Sequence, residues 1–324
     1  MQLPSISDVR AAAFRIGDLA VKTPLLRAPV LDERIDGTVF LKAESLQRVG
    51  AFKFRGALNA IRQIDRDAFP GGVVACSSGN HAQGVACAAS LVGLPAVIVM
   101  PRDAPALKRR RTAAYGAEVV LYDREREDRL EIAMGIARER RAEFVHPYDD
   151  ARVISGQGTV GLELMEQVTA AGAVLDAVLV PCSGGGLSSG VSLAVKAVSN
   201  ATAVHTVEPA GFDDFARSLE GGKRVRNDRV SGSICDALMA ETPGDRTFAI
   251  GQENFANGLV VADDEVREAV RFAFEELKLV LEPGGAAALA AVLNGKLPVR
   301  RRVIACVLSG GNVDPADFAN LIAA

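Results

Sequence analysis

Short runs of β-branched and aliphatic residues alternate along the chain with longer stretches in which apolar residues recur at helical spacing or alanine dominates. The runs Val73–Cys76, Ala96–Met100, Glu118–Leu121, Ala177–Pro181, His205–Val207 and Val303–Leu308 read as strands. Ala82–Val92, Asp128–Arg141, Leu187–Val198, Asp263–Leu277 and Ala286–Leu293 read as helices. Strands that are apolar throughout, separated by helices, predict an α/β fold with a parallel sheet covered on both faces. Several strands run directly into small polar or glycine-rich segments, and open α/β sheets bind ligands at that end of the strand. The sequence shows no internal repeat, low-complexity tract or Gly/Ser/Pro-rich linker, so it predicts two domains made of interleaved segments.

The length of 324 residues supports that domain count at about 150 residues each. With 49% hydrophobic and 24% charged residues, the composition excludes a disordered chain or a disulfide scaffold. A net charge of -3 gives no electrostatic case for nucleic acid or an acidic membrane as partner. The basic runs Lys108-Arg109-Arg110-Arg111 and Arg300-Arg301-Arg302 read as solvated ends of helices or strands. Five scattered cysteines, none in CxxC spacing, support neither a zinc site nor a thioredoxin-like motif and suit a reducing, cytoplasmic compartment. No secretory leader pattern opens the sequence, and no apolar run approaches the roughly 18 residues that span a bilayer.

Four segments carry chemistry. In Val180-Pro181-Cys182-Ser183-Gly184-Gly185-Gly186-Leu187, a strand meets three glycines and then a helix. Close backbone approach and unpaired helix N–H groups make a phosphate cradle, with a flexible turn as the alternative. It lacks the Lys-Ser/Thr ending of a nucleotide P-loop. In Ala51-Phe52-Lys53-Phe54, apolar neighbours would lower the lysine pKa as Schiff-base chemistry requires, although a lysine reaching out from a helix start is as common. Ser77-Ser78-Gly79-Asn80-His81 follows a strand and could bind a carboxylate or phenolic oxygen, or simply cap a helix. Leu308-Ser309-Gly310-Gly311-Asn312 places Ser309 at a strand end facing the ligand crevice, or forms only a turn. A fifth stretch, Gly156-Gln157-Gly158-Thr159-Val160-Gly161, satisfies G-x-G-x-x-G but lacks the preceding hydrophobic strand that a dinucleotide fingerprint needs.

In this order, the segments resemble the pyridoxal-phosphate-dependent enzymes of fold type II, and within them the threonine/serine dehydratases and serine racemases. The likeness runs from Thr23-Pro24-Leu25 through Lys42-Ala43-Glu44 to Asn312. It implies two open, twisted, mostly parallel sheets flanked by helices, with residues 1–51 and 148–324 forming a large domain and 52–147 a small one. It also implies a homodimer. By resemblance, Lys53 holds pyridoxal 5'-phosphate as a Schiff base, Phe52 packs on its ring and Asn80 bonds its 3′-oxygen. Ser183, Gly184, Gly185, Gly186 and Leu187 hold the phosphate, Ser309 faces the ring nitrogen and Glu282 lies near the cofactor. Ser77, Ser78, Gly79, Asn80 and His81 take the substrate α-carboxylate, and Ser78 matches the opposite-face acid/base of the racemases. Arg129 aligns with a carboxylate-binding arginine, or is a surface helix residue among Arg124, Arg126 and Arg138. Glu208, the Phe212 carbonyl and Asp214 resemble a cation loop suited to Mg2+ or Ca2+. At Ile234-Cys235-Asp236-Ala237-Leu238, the chain departs from the family by carrying Ala237 in place of a glycine.

The activity implied is β-elimination from a β-hydroxy amino acid, with L-threonine or L-serine giving a 2-oxo acid and ammonia. Lys53 would remove the Cα proton. Serine or aspartate racemisation and 3-hydroxyaspartate dehydration are the near alternatives. A nicotinamide-dependent oxidoreductase built on Gly156–Gly161 is the rival from another class, and a catalytically idle binding protein a third reading. So few residues follow Asn312 that the resemblance implies no effector domain of the biosynthetic dehydratases, hence a catabolic or substrate-specialised enzyme.

Overall fold

The computed structural model describes residues 1–77 and 79–323. The strands among them are β1 (Leu25–Arg27), β2 (Thr38–Ala43), β3 (Val73–Cys76), β4 (Ala96–Pro101), β5 (Glu118–Tyr122), β6 (Glu143–Phe144), β7 (Ala177–Pro181), β8 (Ala203–Pro209), β9 (Asn257–Val261) and β10 (Val303–Leu308). They form a six-stranded sheet in the order β1-β2-β10-β7-β8-β9 and a four-stranded sheet in the order β5-β4-β3-β6. Every pairing of these strands is parallel except that of β1 with β2.

Strands apolar at every position become legible once both faces are considered. Along β10, Ile304, Cys306 and Leu308 pack under the helices Asp263–Glu275 and Pro283–Leu293, while Ala305 and Val307 face the opposite core with Val160, Leu164 and Val191. In β3, Val73 and Ala75 pack with the helices Lys53–Ile61 and Asn80–Val92, and Val74 and Cys76 with Ala133 and Ala137 of the helix Arg129–Arg140. The pattern does not mark β1, β2, β6 or β9. β6 is too short to show a period, and β2 carries the charged but fully buried Lys42.

Each sheet has one point where the chain's direction of travel reverses. β7 leads to β8 on one side, while β10 pairs on its other side. Similarly, β3 leads to β4 on one side and takes β6 on the other. The crevices beyond these strand ends are where a doubly wound sheet opens to a ligand.

The helix Ala151–Ala170 joins the two halves and holds the G-x-G-x-x-G stretch. A Cβ at Gly156 would lie 2.6 Å from the Gly56 Cα, one at Gly158 would lie 2.9 Å from the Gly190 carbonyl oxygen, and one at Gly161 would lie 2.8 Å from the Val191 carbonyl oxygen. These glycines let three helices cross closely, and the stretch has no phosphate-binding turn. Nearby, the Arg55 guanidinium is fully buried and forked between Glu44, at 2.8 Å, and Glu163, at 2.7 Å, which fixes the helix that begins at Lys53.

Candidate active site

The ends of β3, β7 and β10 meet at one cavity of about 1090 Å³, partly open to solvent. Phe52, Lys53, Ser77, Gly79, Asn80, His81, Arg129, Ser183, Gly184, Gly185, Gly186, Leu187 and Ser309 all line it, so segments far apart in the sequence share one site.

At one end, the helix Gly186–Val198 starts at the last residue of the glycine triplet. Its N-cap, Gly185, sits at φ 92° and no side chain caps the helix, which leaves first-turn N–H groups and the positive dipole end without an internal partner. A Cβ at Gly184 would strike the Tyr148 ring at 2.4 Å, so only glycine lets the turn lie against that wall. The Ser183 Oγ accepts from the Ala240 N–H at 3.0 Å and ties the turn to the segment after Asp236.

Opposite this turn, the Lys53 ammonium donates to the Pro147 carbonyl at 2.8 Å and lies 5.2 Å from the Phe52 ring centroid. Burial lowers its pKa from the usual lysine range to about 8. Phe54, its other aromatic neighbour, points away into the core.

The third wall is the turn before the helix Asn80–Val92, whose N-cap Gly79 has no side-chain cap. Ser77 Oγ accepts from the Gly79 N–H at 3.2 Å. His81 is buried, contacts the Val145 carbonyl at 3.3 Å and is held neutral, its pKa lowered to about 3 by burial and the nearby Lys53. Asn80 Nδ2 donates to Glu282, while its Oδ1 accepts from Asn312 Nδ2 at 2.8 Å. Glu282 therefore stands one residue behind the wall, without lining the cavity itself. Ser78, expected in both catalysis and carboxylate binding, lies outside the described residues.

One expectation needs correction. The run at Lys108 is not wholly a solvated end: Lys108 is 4% exposed, lines the cavity and donates to Asp236 Oδ2 at 2.6 Å. Its spacing in a basic run concealed this, because the carboxylates that compensate the charge come from the other sheet's segments. The residues of the expected cation loop also have protein contacts of their own. Glu208 accepts the N–H groups of Phe215 and Ala216 at 3.0 and 2.8 Å and so caps the helix Asp214–Gly221. Phe212 is buried nearby and Asp214 Oδ1 accepts from Asn227 at 2.6 Å, and no cluster of three His, Cys, Asp or Glu occurs among the described residues. Sequence reasoning also missed Tyr148, Arg124 and Asp236 as cavity residues.

The sequence profile described as "Pyridoxal-phosphate dependent enzyme" matches residues 16–310. The chain belongs to that family. As a pyridoxal-phosphate-dependent enzyme it is 42% identical to an L-threo-3-hydroxyaspartate ammonia-lyase of Pseudomonas sp, over 99% of both chains. The crystal structure of a threonine deaminase from T.th. is 43% identical, with a TM-score of 0.91 over 96% of this chain and 99% of that one. Maize serine racemase is 38% identical, with a TM-score of 0.93 over 98% of this chain and 97% of that one. The fold is thus that of the fold type II pyridoxal-phosphate enzymes, and the relatives are ammonia-lyases and racemases.

The residues present fit the cofactor. An uncapped helix start behind glycines suits a phosphate, and a desolvated amine beside an aromatic ring suits an aldehyde on a flat heterocycle. The segment Asp236–Leu238 accommodates Ala237 with no positive φ, so the methyl adds no backbone strain to this wall.

Proposed function

We propose that this pyridoxal-phosphate enzyme eliminates water and ammonia from a β-hydroxy amino acid bearing a second carboxylate, with 3-hydroxyaspartate favoured over L-threonine or L-serine. The observation that carries this reading is the charge on the cavity wall. Arg129, the first residue of its helix, lines the cavity, and among the described residues it has no carboxylate partner, whereas Arg124 and Arg126 pair with Asp103 and Asp123. A guanidinium free to fork onto a carboxylate is what a four-carbon diacid requires and threonine does not. The relatives that act on 3-hydroxyaspartate, 42% and 41% identical over 99% of this chain, support the same substrate. L-threonine or L-serine remains the second reading, because Leu238 and Met239 offer an apolar wall to a small side chain.

When bound, pyridoxal phosphate supplies the electron sink that makes an amino acid's Cα proton removable. The N–H groups at Gly184–Leu187 and the Ser183 turn would hold the phosphate, Phe52 would cover the ring and Asn80 would donate to the 3′-oxygen. Ser309 would face the ring nitrogen with a hydroxyl, which, unlike a carboxylate, does not favour a protonated nitrogen and so would suit loss of a β-substituent. The segment 77–81 would receive the α-carboxylate. Lys53 Nζ, neutral above about pH 8 by virtue of its burial, takes the Cα proton. The Cβ–O bond breaks, the hydroxyl leaves as water with the proton that Lys53 took from Cα, and the released enamine tautomerises to an imine whose C=N bond water cleaves to oxaloacetate and ammonia. Ser78 is the residue this reading assigns to racemisation.

The reading divides the chain into a small domain, 52–147, and a large domain of 1–51 and 148–324. It is completed by a homodimer in the cytoplasm, where the five buried thiols stay free. A divalent cation between Glu208, the Phe212 carbonyl and Asp214 is part of it: Asp214 Oδ2 is buried with no partner, and burial together with the facing Asp214 carboxyl pushes the Glu208 pKa well up.

The test measures 2-oxo acid released from L-threo-3-hydroxyaspartate, L-threonine and L-serine by the wild type and Arg129→Ala. The expected result is a drop in kcat/KM of about 100-fold for the diacid and less than about fivefold for threonine. Preference for threonine with an equal effect of the substitution on both substrates would remove the diacid reading.

A further inference from the structure

The helix Ala106–Ala114 has no role in the reaction as described, yet two of its residues contact the two side chains that hold the Asn80 carboxamide, Lys108 reaching Glu282 and Arg111 reaching Asn312. Lys108 and Arg111 are three residues apart and so share a face. We propose that they form a positioning clamp that fixes, through Glu282 and Asn312, which end of the Asn80 carboxamide faces the cavity. The proposal rests on the reading that the cofactor's 3′-oxygen lies at Asn80.

Arg111 Nη1 donates to Asn312 Oδ1 at 3.0 Å, which leaves Asn312 Nδ2 to donate to Asn80 Oδ1 at 2.8 Å and to the Val49 carbonyl at 2.7 Å. On the other side, the Lys108 ammonium lies 2.6 Å from Asp236 Oδ2 and 3.6 Å from Glu282 Oε2, and Glu282 Oε1 accepts from Asn80 Nδ2. Asn80, Lys108, Glu282 and Asn312 are all buried, so none of these groups exchanges its partner for water without cost.

With Glu282 ionised, both of its oxygens accept, and Asn80 must offer it nitrogen. Asn312 offers hydrogen to the carbonyl oxygen of Asn80. A flipped carboxamide would set oxygen against carboxylate and NH2 against NH2. In the observed orientation, the second Nδ2 hydrogen remains for an anionic oxygen in the cavity, which Asn80 lines.

Lys108 is the cation that favours ionised Glu282. Burial pushes the Glu282 carboxyl up to about 7 even with Lys108 opposing it, and Asp236 adds to the rise. Without the ammonium, Glu282 keeps its proton, can donate to Asn80 Oδ1 and tolerates the flip. Arg111 is more exposed, and Asn312 has a second anchor at Val49, so its contribution is the smaller of the two.

The experiment titrates pyridoxal phosphate into the cofactor-free full-length chain and records its affinity and the visible absorption spectrum of the complex. Lys108→Met and Arg111→Met, each alone and in an Asn80→Ala background, are compared with the wild type and Lys108→Arg. The expected result is about tenfold weaker binding for Lys108→Met and about threefold for Arg111→Met, each with a redistributed spectrum. Lys108→Arg restores part of both, and both Met substitutions become silent once Asn80 is alanine. Arg111→Met, at an exposed position, keeps the test decisive where Lys108→Met fails to fold. Wild-type binding and spectrum in Arg111→Met and in any folded Lys108→Met, or effects that persist undiminished without Asn80, would overturn the clamp. A wild type that binds no pyridoxal phosphate would instead overturn the cofactor reading.

Discussion

Three helices begin close together in the half built on the six-stranded sheet, and they satisfy their first N–H groups differently. The helix Asp214–Gly221 has the Glu208 carboxyl set against the Phe215 and Ala216 N–H groups. The helix Asp245–Asn254 has Asp149 set against those of Asp245, Arg246 and Thr247, at 3.2, 2.8 and 3.4 Å. The helix Gly186–Val198 has neither a side-chain cap nor a protein carboxylate, only glycines and the cavity. Every helix start favours an anion. Two have an acidic side chain of their own set against them, and the third is left for a phosphate.

The most severe way to break this difference is to give the third helix an anion of its own. In Ser183→Asp, a carboxylate occupies the place of the phosphate. The account expects pyridoxal phosphate affinity to fall by about 100-fold or more, while the melting temperature of the cofactor-free chain holds or rises. Calorimetric titration and thermal melts check the two halves separately. The converse substitution, Asp149→Ala, removes an internal anion. It is expected to cost about 2 kcal/mol of stability in denaturant titration, with less than about a threefold change in cofactor affinity, because the cradle keeps its glycines. A large loss of affinity there would mean that the two helix starts are not independent.

The same contrast separates the parts of the site that could be read from the sequence from those that could not. Lys53, Ser183–Leu187, Asn80 and Ser309 each adjoin an apolar strand or a helix start, so local pattern marked them as candidates and the family resemblance supplied their roles, and the structure gathers them around one cavity. The glycines of Gly156–Gly161 looked similar in sequence. Their place in the middle of a helix rather than after a strand makes them packing residues. Lys108, Tyr148 and Asp236 were invisible because their meaning depends on how the two sheets face each other. The ammonium of Lys108 is legible only beside carboxylates 128 and 174 positions away in the chain. The helix Asn80–Val92 begins two residues before the apolar period that predicts it, which places Asn80 and His81 in the first turn rather than in a loop.

The most direct test is the visible spectrum of cofactor-free protein mixed with pyridoxal phosphate across a pH series, for the wild type and Lys53→Ala. Burial lowers the Lys53 pKa to about 8, so the amine loses its proton and captures the aldehyde as pH rises through about 8. Before the cofactor is added, the same shift makes the chain gain stability as pH rises from there to the ordinary lysine range, because the unfolded state still binds the proton. The account predicts a yellow complex with that midpoint in the wild type and none in Lys53→Ala. An unchanged yellow complex in Lys53→Ala, or no complex in the wild type at any pH, would contradict it.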